Sequence, residues 1–230
     1  MNNYIAVVPM RAGSKGYPGK NVKILSGKPL YEHTLDQARA AGIKKILITT
    51  DIEHLIRNGN YKQTKIIARP PCLARDESTM DDVLGHVVDH PLCDAENIIL
   101  LQVTSPLRTA RDIVTAATLF ETGKFNLVLS VSKTDNSVLK YGTAKDNRFI
   151  PISSAENCFT NRANLPMVYK PDGAIYIFKK AWYQQKRALG SGTIGFIETE
   201  TQPSIDIDNE QDFKEAEKIF QSRKDSSQQK

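Results

Sequence analysis

Cysteine is scarce in this 230-residue chain. The three present, Cys72, Cys93 and Cys158, are far apart and odd in number. That excludes a disulfide framework, and none has a neighbour at metal-ligand spacing, so buried reduced thiols are the expectation. Histidine is equally thin. His86 and His90 share a helix face, but no His-Glu-x-x-His pattern surrounds them, and His33 and His54 stand apart. Each is read as a solvated or core side chain. No apolar run reaches the length of a membrane span. The start lacks the basic and apolar regions of a secretory signal. These absences lead to the expectation of a cytoplasmic protein that does not engage a membrane. Internal repeats are absent too, which removes solenoids and propellers.

Two familiar phosphate motifs are also missing. A P-loop needs four residues between its first glycine and Gly-Lys-Ser/Thr. Here five residues separate Gly13 from Gly19, and Asn21 stands where the hydroxyl belongs. The dinucleotide fingerprint fails because Gly13, Gly16 and Gly19 are evenly spaced. What stands there instead is dense. After an apolar run at 4–8, residues 11–21 carry three glycines, one proline and the cations Arg11, Lys15 and Lys20. Glycines let backbone N–H groups approach a ligand, and cations balance negative charge. A strand that ends in such a loop reads as a polyphosphate cradle. The bland alternative is a surface turn with solvated lysines.

Charge bounds the partners. The chain has 31 Lys and Arg against 26 Asp and Glu, a formal net charge of +5. A basic excess fits either nucleic acid or a small, highly anionic substrate. No helix-turn-helix or aromatic-and-basic RNA motif is present, which favours the small anion.

Along the chain, short apolar strands alternate with amphipathic helices. Strands are read at 5–8, 45–50, 65–68, 98–103 and 127–131, and helices at 29–41, from Ser78 or Thr79 onward, and at 111–121. This rhythm predicts an α/β fold with a mostly parallel sheet covered on both faces. It breaks at Ser132. Residues 133–171 are polar and turn-rich and read as an inserted arm. Strand pattern returns at 174–178, followed by a helix at 181–189, a strand at 204–207 and a last helix at 210–221. One domain is therefore expected over 1–221, with a disordered polar tail at 222–230.

Two further segments carry chemistry. Ile205-Asp206-Ile207-Asp208, read as a strand, would project both carboxylates from one face. Paired hard oxygens suit Mg²⁺ beside a polyphosphate. The alternative is that Asp208 caps the last helix. Residues 100–108 form a buried strand that breaks into a polar loop. Gln102, Ser105 and Arg108 there are placed to read a base, a ribose or a sugar, and Thr109 to cap the next helix.

Together these segments resemble the CMP-sialic acid synthetase family of cytidylyltransferases. The resemblance rests on five stretches in order. They are 11–16 with Lys20-Asn21; Ala68-Arg69-Pro70 with Leu73-Ala74 and Asp76; 102–108; Asn161-Arg162 with Leu165-Pro166 and 173–176; and 205–208. It implies a Rossmann-like nucleotidyltransferase fold with a dimerisation arm, a homodimer, CTP and an acidic nine-carbon sugar as substrates, and Mg²⁺. By the same resemblance Arg11, Ser14, Lys15 and Lys20 bind phosphates in the loop that includes Ala12 and Gly13. Asn21 and Arg69 lie near the nucleotide, and Ser78, Ser105 and Arg108 by the cytidine. Gln102, Lys140, Arg162, Tyr176 and Phe196 contact the sugar, and Asp206 and Asp208 hold the metal. Arg11, Lys15, Lys20 and the two aspartates form the catalytic set. Met10, Val103, Lys170 and Asp172 depart from the family's usual residues, which leaves the sugar open among sialic, legionaminic and pseudaminic types. The rivals are a synthetase for CMP-activated eight-carbon 3-deoxy sugars, a nucleic-acid-binding protein and a non-catalytic relative.

Overall fold

The computed structural model describes residues 1–59, 64–199 and 205–228, with side chains through 223. The strands are β1 (Tyr4–Pro9), β2 (Ile24–Leu25), β3 (Lys28–Pro29), β4 (Lys45–Thr50), β5 (Thr64–Ala68), β6 (Asn97–Leu101), β7 (Leu127–Thr134), β8 (Gly142–Lys145), β9 (Arg148–Pro151), β10 (Val168–Lys179) and β11 (Ile194–Glu198). The helices are α1 (Leu30–Ala40), α2 (Glu53–Asn58), α3 (Met80–Val88), α4 (Ala110–Glu121), α5 (Lys180–Lys186) and α6 (Glu210–Gln228).

Seven strands form one sheet in the order β11-β7-β10-β6-β1-β4-β5. All pairings are parallel except those of β10, which runs antiparallel to both β6 and β7. Alternation along the strands divides the core. Ala6, Val8, Ile48, Ile99 and Ile177 pack on one face with Leu35 of α1, Ala117 of α4 and Phe213 of α6. Ile5, Val7, Leu47, Ile98 and Phe178 pack on the other with Leu84 and Val87 of α3 and Tyr183 of α5. Both faces are covered, which is why the strands read as continuous apolar runs.

Local chemistry places the helices. Thr79, not Ser78, is the N-cap of α3: its hydroxyl accepts from the Asp82 amide while Asp82 accepts from the Thr79 amide. Thr109 and Asp112 repeat the device at α4.

Several expectations are corrected. Residues 205–208 lie outside any strand, and Ser204 falls outside the described residues. Ile207 makes one backbone bond, donating to the Thr104 carbonyl at 2.8 Å. Burial still alternates, because Ile205 and Ile207 face the core while both aspartates are exposed. The last helix continues to Gln228. The arm is narrower than 133–171. A shift in register between Pro171 and Tyr176 bends β10. Beyond it, Val168 to Pro171 pair with Val131 to Thr134 as a ribbon that leaves the end of β6 behind. Residues 135–167 hang from that ribbon. Their hairpin β8–β9 turns at Asp146 and Asn147, both at positive φ, as a two-residue type I′ loop requires. The arm buries few of its apolar side chains: Tyr141, Phe149, Ile152 and Met167 are exposed, and Phe159 is 91% exposed.

Candidate functional site

In the sheet, β4 and β5 extend from one side of β1 and β6 lies on the other. That reversal is the topological switch point, and ligands of open α/β sheets bind there, beyond the strands' carboxyl ends. A cleft of about 590 Å³ opens at that place. Its wall is built from the segments that leave the parallel strands. Arg11, Ser14, Lys15, Lys20 and Asn21 come after β1, and Arg69, Asp76 and Ser78 after β5. Gln102 and Thr104 come after β6. Asp206 and Asp208 close it from below. A second cleft of about 470 Å³ shares those two aspartates and is otherwise lined by Ser132, Lys170, Asp172, Asp212 and Glu215 among others. The carboxylate pair thus stands where two clefts meet.

The glycine loop is pinned to the acidic segment. The Lys20 ammonium, nearly buried, donates to the Ile207 carbonyl and sits 3.1 Å from Asp208. Gly16 crosses so close that a Cβ there would lie 2.3 Å from the Asp208 carbonyl oxygen. The Asn21 amide donates to the Arg11 carbonyl at 2.9 Å, so it holds the loop's shape. The Ala12 amide donates to Asp51 at 2.7 Å, and Gly13 has open space around it. Asp208 is not the cap of α6. The Asn209 side chain accepts from the Gln211 and Asp212 amides, and Asp212 accepts from the Asp208 and Asn209 amides. Asp208 keeps its own carboxylate for the clefts.

Electrostatics separate the carboxylates. Asp206 meets solvent at its tip but is crowded by protein atoms around it. That desolvation, with the Asp208 charge, raises its pKa against the lowering hydrogen bond from Thr104 and the charges of Lys20 and Lys170. Asp76 is held below the usual range by hydrogen bonds from Lys15 and Arg11. Arg69, buried, donates to the Thr49 carbonyl at 2.9 Å, and its Nε has no partner among the described residues. Burial pushes its guanidinium down to about 10, while Asp51 holds it up.

Other expected residues lie elsewhere. Ser78 lines the first cleft, its hydroxyl donating to the Cys72 carbonyl. Ser105 and Arg108 do not line it. Both border a small separate cavity, and Arg108 is 3% exposed. Its guanidinium donates to the Gln102 and Ala174 carbonyls at 2.7 and 2.9 Å and to the Thr34 hydroxyl at 2.6 Å. Of the expected sugar contacts, Gln102 lines the first cleft, and among the described residues the others line neither of these two clefts. Tyr176 is half-buried on β10, its pKa raised by burial and by Asp172 and Asp206. Phe196 stands on the edge strand β11, its ring 5.1 Å from that of Tyr169. Lys140 and Arg162 are in the arm, where Arg162 pairs with Asp135 at 3.1 Å. Sequence pattern assigns no role to Ser132, Lys170 or Asp76 as lining residues. The last stands inside a motif of the resemblance, and its acidity beside a cationic loop is the available signal.

Comparison with known proteins places this geometry. An N-acylneuraminate cytidylyltransferase of Streptococcus agalactiae serotype V is 31% identical over 214 residues, covering 91% of this chain and 51% of that protein. The chain thus spans about half that relative's length. A CMP-N,N'-diacetyllegionaminic acid synthase of Legionella pneumophila is 30% identical over 227 residues, covering 94% and 96% respectively. A solved structure of CMP:2-keto-3-deoxy-manno-octonic acid synthetase complexed with CTP shares the fold, with TM-score 0.70 and 18% identity over 96% of this chain and 100% of that one. The family profile described as Cytidylyltransferase matches residues 5–230, and the chain belongs to that family.

Proposed function

We propose that this protein joins CTP to an acidic nonulosonic sugar, releasing pyrophosphate and a CMP-sugar. The observation that carries the reading is the Asp206–Asp208 pair at the junction of a cation-lined cleft and a second cleft. The first cleft takes the nucleotide, with Arg11, Lys15 and Lys20 toward its phosphates and Arg69 toward the nucleoside. The second takes the sugar, with Lys170 the cation nearest to hand for its carboxylate. The sugar's anomeric oxygen attacks the α-phosphorus. Its bond to phosphorus forms as the bond to the bridging oxygen breaks, the hydroxyl proton passes to solvent and pyrophosphate leaves. The cations balance charge that grows on the leaving oxygens, and the two clefts supply alignment.

The donors fit Mg²⁺. Two carboxylates face the clefts, and no cluster of three or more His, Cys, Asp or Glu among the described residues forms a closed metal cage. Mg²⁺ commonly takes one or two carboxylates together with substrate phosphates. When bound it supplies charge neutralisation and acidifies a hydroxyl that it contacts. Lys20, already paired with Asp208, is placed to follow charge between carboxylate and phosphate.

The arm supports a homodimer, since its exposed Phe149, Ile152 and Phe159 need a covering surface. Lys140 and Arg162 then serve the partner's sugar cleft rather than their own. Two relatives are named for nonulosonic sugars, which favours that class over the eight-carbon one. We place the reaction in the cytoplasm, where CTP is available. Among the described residues no helix is long and apolar enough to cross a membrane. The test is direct: incubate the protein with Mg²⁺, CTP and a panel of nonulosonic and octulosonic acids, and assay pyrophosphate and CMP-sugars. Product with one nonulosonic acid and none with the octulosonic acid is the expected result. Equal turnover of ATP, GTP and CTP would remove the reading.

A further inference from the structure

The cations proposed to bind phosphate are not idle in the free protein. Asp76 lies 2.8 Å from Arg11 and 2.9 Å from Lys15, and it lines the cleft beside them. Arg11 also reaches the Ala74 carbonyl at 3.5 Å, on the same segment. One carboxylate therefore bridges two of the three cations, while Lys20 is held apart by Asp208. A phosphate placed between Arg11 and Lys15 would meet Asp76 as a like charge, so the two compete.

We propose that Asp76 is a placeholder for polyphosphate, holding Arg11 and Lys15 until the nucleotide takes them and reclaiming them as pyrophosphate leaves. This rests on the nucleotide reading above. A singly charged anion gains no more from the two cations than the Asp76 carboxylate already does, whereas a triphosphate brings several charges to the exchange. Release is possible because Asp76 stands on an exposed stretch, so its carboxylate moves into water instead of being stranded. The base of that stretch stays fixed, with the Ser78 hydroxyl on the Cys72 carbonyl. The same charge that raises the threshold for entry helps expel the product. Asp76 therefore sets which anions remain bound.

The experiment measures binding of inorganic pyrophosphate and of CTP by calorimetry, with turnover alongside. Asp76→Asn removes the competing charge. Loss of two partly exposed ion pairs corresponds to about a three- to tenfold gain in pyrophosphate affinity. Pyrophosphate should then inhibit the variant more strongly, and the CTP KM should fall with kcat no higher. Asp76→Glu should restore wild-type pyrophosphate binding, and Asp76→Ser should match Asp76→Asn. Thermal melting verifies that all three are folded. Unchanged or weaker pyrophosphate binding in folded Asp76→Asn and Asp76→Ser would overturn the placeholder, and weaker binding would make Asp76 a support for the cations. A wild-type protein that binds no CTP would remove the nucleotide reading and this inference with it.

Discussion

Arg108→Met should reduce stability by about 2–5 kcal/mol, the cost of stranding two buried carbonyls and a hydroxyl less what repacking recovers. The arginine is buried and donates to two main-chain carbonyls and one hydroxyl, on three separate parts of the chain. Gln102 follows β6, Ala174 sits in the bend of β10, and Thr34 is on α1. Methionine fills a similar volume but offers no donor. Each stranded acceptor then costs about 1–3 kcal/mol, less what repacking recovers. Burial pushes the guanidinium down to about 9, against the opposing pull of Asp172 and Asp112, so it stays charged at neutral pH. Removing it also leaves the buried Asp172 without that nearby charge, which adds to the loss. The assay is urea unfolding followed by circular dichroism, with the slope compared to confirm a two-state transition. Nucleotide preference is measured in parallel and should not change, because Arg108 does not line the nucleotide cleft. Arg108→Lys should recover part of the stability, since one ammonium cannot span all three acceptors. A loss under about 1 kcal/mol, or relaxed base preference at unchanged stability, would refute this account. It would return Arg108 to the nucleotide, as the motif resemblance implies.

Asp206→Asn and Asp208→Asn should each lower turnover by roughly a hundredfold or more while the fold holds, and EDTA should abolish wild-type activity until Mg²⁺ is restored. Because desolvation and the Asp208 charge raise the Asp206 pKa in the metal-free protein, its proton competes with the metal, and apparent Mg²⁺ affinity should start to fall, as the pH is lowered, at a higher pH than for an ordinary carboxylate. Gly16→Ala must push the loop off the Asp208 carbonyl, and a displacement near 1 Å at the reacting groups costs on the order of a hundredfold in rate. Steady-state kinetics with an unchanged melting temperature would show it. If the protein forms the proposed dimer through its arm, Phe159→Asp should raise the dissociation constant read by sedimentation; a wild-type monomer would remove the dimer, and an unaltered dimer would place the interface elsewhere.

The parallel half of the fold was legible because its strands are buried on both faces. Residues 5–8 are an unbroken apolar run, Ile46–Ile48 and Ile98–Leu101 are apolar and buried, and the polar loops after β1, β5 and β6 end up in the cleft. The helix starts were legible for a different reason, since capping is local chemistry independent of the tertiary fold: Thr109 was expected as a cap, and Thr79 was one of two candidates that the bond with Asp82 decides. Long-range partners were not legible. Strand β11 alternates only Gly195 and Ile197 inward, and it exists because the edge of β7 is there to receive it. Nor could pattern alone show that β10 is a bent strand of 12 residues. Its bend depends on Asp172, which accepts from the Ser130 and Thr199 hydroxyls and from the Ala174 amide. Gly173, at φ 77°, supplies the backbone geometry.

The site shows the same division more sharply. Alternation at 205–208 correctly placed two aspartates on one side and two isoleucines on the other, yet it misread the cause. A segment lying over a packed floor alternates just as a strand does, and only hydrogen-bond partners distinguish them. Here one bond, from Ile207 to Thr104, replaces a ladder. The segment meets the glycine loop instead, at Gly16 and Lys20. Residues 102–108 divide in another way. Gln102 faces the cleft, whereas Arg108 holds the Gln102 carbonyl from behind. A motif joins residues that act on a ligand with residues that hold them in place. Spacing cannot separate the two, because both kinds are polar. Hydrogen-bond partners separate them: Gln102 lines the cleft, while Arg108 has already committed its guanidinium to the Gln102 and Ala174 carbonyls and the Thr34 hydroxyl.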